Sequence, residues 1–328
     1  MDADIYCFQE CLTGEFKQES SLLPPSYHIF PCKSALSHLS EQSPWYLRVY
    51  ASWISTALSL PPLRALMTSI PTPIEAFREK LRLDQAPFRL IRDLAIAPFF
   101  GNSVACRLAH AQDIGHSTLL LGDWRSAQRI EFEIPIVSLQ DGDSEGDMEE
   151  SEKKIGRHNN NNNNSSSSSS NSSSEDNDEK VRIWVINTHL DHAHPDTRAT
   201  QASALLQWAD ETRLTDPSVA VIILCGDFNA PPSEIFHSHL RCKGYRSAHY
   251  EVHGREPKGT WPTGIQAPLV DTGAYECLDY VYVWEGEGWE VGVVGAEVWG
   301  DQPADGDETL FPSDHAAVKA TFELRKKK

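Results

Sequence analysis

Positive charge is scarce in this 328-residue chain: 29 Lys and Arg face 47 Asp and Glu, a formal net charge of −18. Sequence-independent attraction to duplex DNA needs several cations to displace counterions, so strong duplex binding is disfavoured. No uninterrupted apolar run reaches the roughly 18 residues that a membrane-spanning helix requires. Cysteine has no pattern either. The seven residues are odd in number and form no CxxC pair, which excludes a regular disulfide framework and fits a reducing compartment. The opening Met1-Asp2-Ala3-Asp4 has no apolar signal segment, and the closing Lys326-Lys327-Lys328 is too short for a nuclear address. The expectation is an intracellular, chiefly cytoplasmic protein.

One segment lacks nearly everything a core needs. Residues 141–180 contain the runs Asn159 to Asn164 and Ser165 to Ser170, with 11 acids against 4 bases. Such a composition buries nothing, so a disordered loop is expected there. The remainder suits one large α/β domain, a monomer without internal repeats.

The informative residues stand at the ends of apolar runs. Val219-Ala220-Val221-Ile222-Ile223-Leu224-Cys225 reads as a strand buried on both faces and delivers Gly226-Asp227-Phe228-Asn229 at its tip,. Gly226 permits a sharp turn, and an extended chain would aim Asp227 and Asn229 to one side, where a hard cation or an attacking water would use them. Ile5-Tyr6-Cys7-Phe8-Gln9-Glu10 ends in a carboxylate, and Ile183-Trp184-Val185-Ile186-Asn187-Thr188-His189 ends in imidazole. Leu278-Asp279-Tyr280-Val281-Tyr282-Val283 starts from an acid, and Pro312-Ser313-Asp314-His315 precedes a last strand.

These Gln-Glu, Asn-Thr-His, Gly-Asp-Phe-Asn, Asp-Tyr and Ser-Asp-His segments, in this order over residues 3 to 323, resemble the endonuclease/exonuclease/phosphatase family, the fold group of DNase I. The resemblance implies an α/β fold, a four-layer α/β/β/α sandwich of two mostly antiparallel sheets. It also implies a metal-dependent hydrolase of phosphodiester or phosphomonoester bonds, acting on a short nucleic acid, a nucleotide, or a phospholipid or inositol headgroup. Mg²⁺, with Mn²⁺ as substitute, would be held by Glu10, with Asp314 as a second ligand. Asp227 would orient or deprotonate water, Asn229 would fix water or phosphate, and Asp279 would set the tautomer of His315. The assignment of the general base between Asp227 and His315 stays open. His189 would donate to a phosphate oxygen. Asn187 would support its strand end, and Asn102, in the Gly-Asn segment Phe99 to Ala105, joins Asn187 and Trp261 as a substrate contact. Trp261 lies in a Pro/Gly-rich loop where an aromatic could stack on a base or touch lipid.

Other stretches complete the expectations. Phe132 to Leu139 and 181–189 read as neighbouring strands joined through the polar loop, and Arg198 to Asp210 reads as a helix with Ala202, Leu205, Leu206 and Trp208 on one face,. Residues 11–22 are expected to form a helix or turn. Residues 40–95, with Trp45, Trp53, Leu58 and Met67, read as a helical excursion, or as an amphipathic flap making peripheral membrane contact or covering a substrate. Arg107, Arg125, Arg129, Lys243, Arg246, Arg255 and Lys258 are the bases available to a site mouth. The family's first strand and its Asn have no counterpart before Ile5, so a phosphate-binding pseudoenzyme is the alternative. A zinc hydrolase built on His189, Asp191, His192 and His194 would need histidine at 187, where Asn stands,.

Overall fold

The computed structural model of the chain describes residues 3–12, 23–31, 100–107, 112–122, 125–136, 180–266 and 273–327. The excursion at 40–95, residues 13–22 and the loop 141–180 up to its last residue lie outside the described residues, while residues 11 and 12, expected to open a helix or turn, continue the first strand instead. The run at 219–227 forms β7 (Val219–Asp227), central in a six-stranded sheet. Its neighbours are β6 (Lys180–His189) and β9 (Asp279–Glu285), and the sheet continues through β5 (Arg125–Pro135) to β4 (Gln112–Gly122) on one side and to the short edge strand β8 (Arg246–Ser247) on the other. Only β6 and β7 pair in parallel among these strands; their register sets His189 opposite Asp227. In turn, the antiparallel β7–β9 register sets Asp227 opposite Asp279. Three functional tips therefore meet at one end of the sheet by backbone pairing alone.

One face of this sheet carries helices. Residues Ala202, Leu205, Leu206 and Ala209 of α1 (Pro195–Thr215) recur at helical spacing and bury against Trp184, Ile222 and Leu224,. Pro195 opens α1 where a missing N–H costs nothing, Asp196 stands in its first turn, and Arg213 stands in its last, charges that suit the helix dipole,. The helix α2 (Ile235–Cys242) adds Phe236 and Leu240 to the same core, and α3 (Ala248–His253) follows β8.

The other face meets further strands. β1 (Ile5–Leu12), β2 (His28–Pro31) and β3 (Phe100–Cys106) form an antiparallel sheet in the order β1-β3-β2, and β10 (Trp289–Trp299) pairs with β11 (Ala317–Lys326). Val104 from β3 and Val291 from β10 share a second core with Ile130, Phe132, Val185 and Val221. Two strand layers with helices outside one of them form an α/β sandwich, and the described residues supply three of the four layers expected. The strand anticipated at 132–139 begins earlier and stops sooner, at Pro135, and β4 joins it. On the other side of the polar loop, Lys180 pairs with that Pro135. Deleting 141–179 and closing the two strands with a short Gly-containing turn is therefore expected to shift the melting temperature by less than about 5 °C, because a shorter connection costs less closure entropy and the removed sequence is polar. Differential scanning calorimetry measures this directly.

Candidate active site

Gly226 does more than permit a turn. Its φ is +132°, and a Cβ there would lie 1.9 Å from the Thr188 carbonyl oxygen across β6, so only glycine lets β6 and β7 approach just before their tips,. Asp227 then emerges buried. Asn229 is not extended as anticipated. Its φ is 49°, in the left-handed region, and the turn brings its backbone N–H to Asp227 Oδ1 at 2.8 Å. Its side-chain amide donates to Asp227 Oδ2 at 3.2 Å and to the Leu190 carbonyl at 3.0 Å. Asn229 thus fixes the carboxylate of Asp227 from two directions.

His315 closes the constellation from the segment before β11. Its Nδ1 lies 2.9 Å from Asp279 Oδ2, an oxygen that also accepts from Thr260 Oγ1 at 2.6 Å. Thr260 Oγ1 in turn accepts the backbone N–H groups of Leu278 and Asp279. The carboxylate holds the ring, and the threonine holds the carboxylate. With Nδ1 engaged, Nε2 points toward Asp227 Oδ2, 3.9 Å away. That gap is too long for a direct hydrogen bond and short enough for one bridging water. On the opposite side His189 Nε2 is 3.3 Å from the same Asp227 oxygen.

Electrostatics separate these groups. Burial, with the charge of Asp279, pushes the Asp227 carboxyl above the usual carboxylate range,. Burial, followed by the charges of Arg125 and His315, holds His189 well below the ordinary imidazole value. Burial also opposes charge on His315, yet the Asp279 hydrogen bond and the charges of Asp279, Asp227 and Asp314 raise it to about 9. A raised folded value means stabilisation that is complete below the unfolded imidazole range near 6.5 and is lost as pH climbs through 9,. The raised Asp227 acts with the same sign. In a chelator, the unfolding free energy of the wild type is expected to fall between pH 6.5 and 9, and His315→Gln to flatten that limb; denaturant titrations along this pH range measure it.

Other expected site residues fall in several places. Glu10 lies in β1, and its side chain is outside the described residues. Asp314 accepts from Ser313 Oγ at 3.3 Å beside His315. The Trp261 ring sits 6.1 Å from that of His315, and a Cβ at Gly273 would strike it. Asn102 and Asn187, expected against substrate, are 3% and 0% exposed and serve the interior instead. Asn187 donates to the carbonyls of Phe8 and Ser103 and accepts from Gln9 Nε2 at 2.7 Å, while Asn102 donates to the Ser126 carbonyl at 2.8 Å. They bind the two strand layers together, and the Gln9–Asn187 contact anchors the end of β1 beside the His189 tip.

Of the anticipated mouth bases, Arg125 reaches the centre: its Nη1 is 2.7 Å from both ring nitrogens of His189, and its Nη2 is 3.1 Å from His192 Nδ1. Arg129 instead lies between the rings of Trp184 and Trp208, and Arg107 lies over Tyr27,. Asp191 caps the turn into α1, accepting the N–H groups of Ala193 and His194. Sequence reasoning missed Thr260. A hydroxyl one residue before Trp261 carried no signal of its contact with Asp279.

One atom each from Asp227, Asp279 and His315 lies within 4.8 Å of the others, a group able to hold a metal ion. The carboxylates are the hard donors that Mg²⁺ or Mn²⁺ prefers, although His315 and Thr260 already occupy the inner oxygen of Asp279,. No helix among the described residues is long and apolar enough to cross a membrane.

A sequence model of the Endonuclease/Exonuclease/phosphatase family matches residues 1–315. The chain is 26% identical over 175 aligned residues to the CCR4-Not complex 3'-5'-exoribonuclease subunit Ccr4 of Candida albicans, a match that spans 45% of this chain and about a fifth, 22%, of that protein. The human Nocturnin catalytic domain, solved with a bound sulfate anion, superposes with a TM-score of 0.51 at 14% identity, covering 98% of this chain and 81% of that one. A mannosyl-6-phosphatase of Bacteroides thetaiotaomicron gives a TM-score of 0.48 at 13% identity, with 98% and 85% covered.

Proposed function

The chain belongs to the Endonuclease/Exonuclease/phosphatase family, and from that membership we propose that it is a divalent-metal-dependent phosphodiesterase whose hydrolytic centre is Asp227, His315, Asp279, Asn229 and His189. The observation that carries the reading is the gap of 3.9 Å between Asp227 Oδ2 and His315 Nε2. A water held there has the buried carboxyl of Asp227 on one side, pushed up to about 8, so that it serves as a base as pH rises toward that value,. Asp227 takes the proton as the water oxygen attacks phosphorus, and the bond to the leaving oxygen breaks on the far side. His315, charged at neutral pH and oriented by Asp279, faces the negative charge that grows on the phosphate oxygens,. His189 is neutral, one of its ring nitrogens accepts from Arg125, and the Arg125 cation beside the ring adds positive charge for a non-bridging oxygen. Asn229 keeps the Asp227 carboxylate in place.

Mg²⁺ bound by Glu10 and Asp314, with Mn²⁺ as substitute, would supply Lewis-acid charge to those oxygens. The similarity to the Ccr4 exoribonuclease subunit favours short single-stranded RNA as the first substrate to test. The acidic chain agrees, since a short strand asks for fewer cations than a duplex does,. The test is release of mononucleotide from a short oligoribonucleotide, set beside release of phosphate from nucleotides, sugar phosphates and inositol phosphates, with and without Mg²⁺. Metal-dependent cleavage of the oligonucleotide supports the reading. Turnover confined to phosphomonoesters, or turnover indifferent to chelator, overturns it.

A further inference from the structure

Beyond β9 the sheet ends at β8, and between α2, β8 and α3 lies an open cleft of about 970 Å³, lined in part by Pro232, Arg241, Arg246, Tyr250 and Arg255. This is the size of a small-ligand site, roughly 300–1,000 Å³. Its charge departs from the rest of an acidic molecule. Arg182, Arg198 and Arg246 each lie within ion-pair distance of a carboxylate, whereas among the described residues Arg241 and Arg255 have no such partner. Arg241 donates to Ser238 Oγ at 2.9 Å, a neutral contact, and the nearby charge that answers it in the cleft is that of Glu256, outside ion-pair distance. Two acids share the same wall. Glu251 pairs with Arg246, and Glu256, whose carboxyl burial pushes upward, accepts from Ser247 Oγ at 2.8 Å.

The rim adds an aromatic. Tyr250 is 58% exposed on α3, which leaves its ring open to a ligand. Deeper in the cleft His237 is engaged on both ring nitrogens, with Tyr282 Oη at 3.0 Å and the Ala230 carbonyl at 2.9 Å, whereas the buried Tyr245 hydroxyl has no hydrogen-bond partner among the described residues. Charge and stacking at the exposed rim come from two cations and one ring. A bare inorganic anion would leave the ring unused, and a neutral apolar ligand would leave two guanidinium groups without an ion-pair partner.

We propose that this cleft is a nucleotide-binding subsite separate from the hydrolytic centre, with one phosphate received by Arg241 and Arg255 and its base stacked on Tyr250. Guanidinium forks suit phosphate oxygens, and every base has a face to stack. The nucleotide unit has two sources, a free nucleoside monophosphate or a unit of a strand that is being hydrolysed; only the second rests on the hydrolase reading above. The geometry accommodates both. The Ala230 carbonyl that holds His237 directly follows Asn229, and the edge strand β8 stands two strands from β7, about 10 Å laterally, with Ser247 paired to Tyr282 three residues or about 10 Å along β9 from Asp279, a separation of roughly 14 Å from the tip,. A few nucleotides cover that distance.

The test measures binding of AMP to the full chain by calorimetry in EDTA, with inorganic phosphate as the comparison. Arg241→Ala/Arg255→Ala is expected to weaken AMP binding at least about tenfold, in keeping with the loss of charge-assisted hydrogen bonds. Tyr250→Ala is expected to weaken it about fivefold or more while leaving phosphate binding unchanged. Both substitutions are at exposed positions, and circular dichroism verifies their folding. Equal AMP affinity in the double variant overturns the proposal, as does phosphate binding as tight as AMP. Metal-dependent cleavage of bis(p-nitrophenyl) phosphate should be unchanged in the double variant. An at least tenfold rise in KM for a five-nucleotide RNA in that variant identifies the flanking strand as the source; an unchanged KM with weakened AMP binding identifies the free nucleotide. Absence of all hydrolysis in the wild type refutes the hydrolase reading and leaves the AMP result standing.

Discussion

Asp227→Asn and His315→Ala each reduce oligonucleotide hydrolysis by at least roughly 10²-fold while the fold survives, because each removes a group used as charge develops at phosphorus. The two should differ in their pH response. Asp227→Asn keeps the shape of the tip and its turn with Asn229 but cannot accept a proton from water, so its residual rate is expected to rise with hydroxide. His315→Ala leaves Asp279 buried against Thr260 without its imidazole partner, and the alkaline limb due to a cation near pH 9 disappears. Purified variants compared by single-turnover kinetics from pH 6 to 10 measure both effects. Near-wild-type turnover in either variant sinks the assignment of that residue.

The second large effect is structural. Gly226→Ala places a methyl group 1.9 Å from the Thr188 carbonyl oxygen, at a φ of +132° that side chains rarely adopt. Neither neighbour is a flexible side chain that can swing aside. β6 and β7 must separate, which strains the ladder that sets His189 opposite Asp227. A loss of more than about 4 kcal/mol is expected, combining backbone strain with a broken strand contact. In a domain of this size that lowers the melting temperature by roughly 10 °C or prevents soluble expression. An alanine variant with wild-type thermal stability would falsify the close-approach account of this glycine.

The strand tips were legible because each was a continuous apolar run broken by a polar residue, a pattern that survives without knowledge of neighbours. The resemblance then supplied roles, the paired sheet brought Asp227, Asp279 and His189 together, and the segment before β11 added His315. What stayed illegible was direction. Asn102 and Asn187 stand near polar tips much as Asn229 does, but the second strand layer covers them, and no single strand reveals what lies above it. Asn229 looked extended because the left-handed turn depends on contacts with Leu190 and Asp227. β4 escaped notice because Gly115, His116 and Ser117 interrupt its apolar pattern. Arg129 looked like a mouth residue, since the sequence does not show that Trp184 and Trp208 enclose it.

The pairing of Pro135 with Lys180 at one end of β5–β6, and of Ala127 with Thr188 near the other, gives the sheet two poles with unequal freedom to evolve. The proposed hydrolytic centre occupies the pole of Thr188, where an added methyl group at Gly226 would meet the Thr188 carbonyl oxygen. The long polar insertion is rooted at the opposite pole, about eight strand residues or some 26 Å from the reacting groups. Length, composition and repeat number can drift there by replication slippage in the Asn and Ser runs without passing through selection on catalysis, so related genes should diverge fastest at that junction, and a reporter domain grafted into it should leave the hydrolytic centre undisturbed.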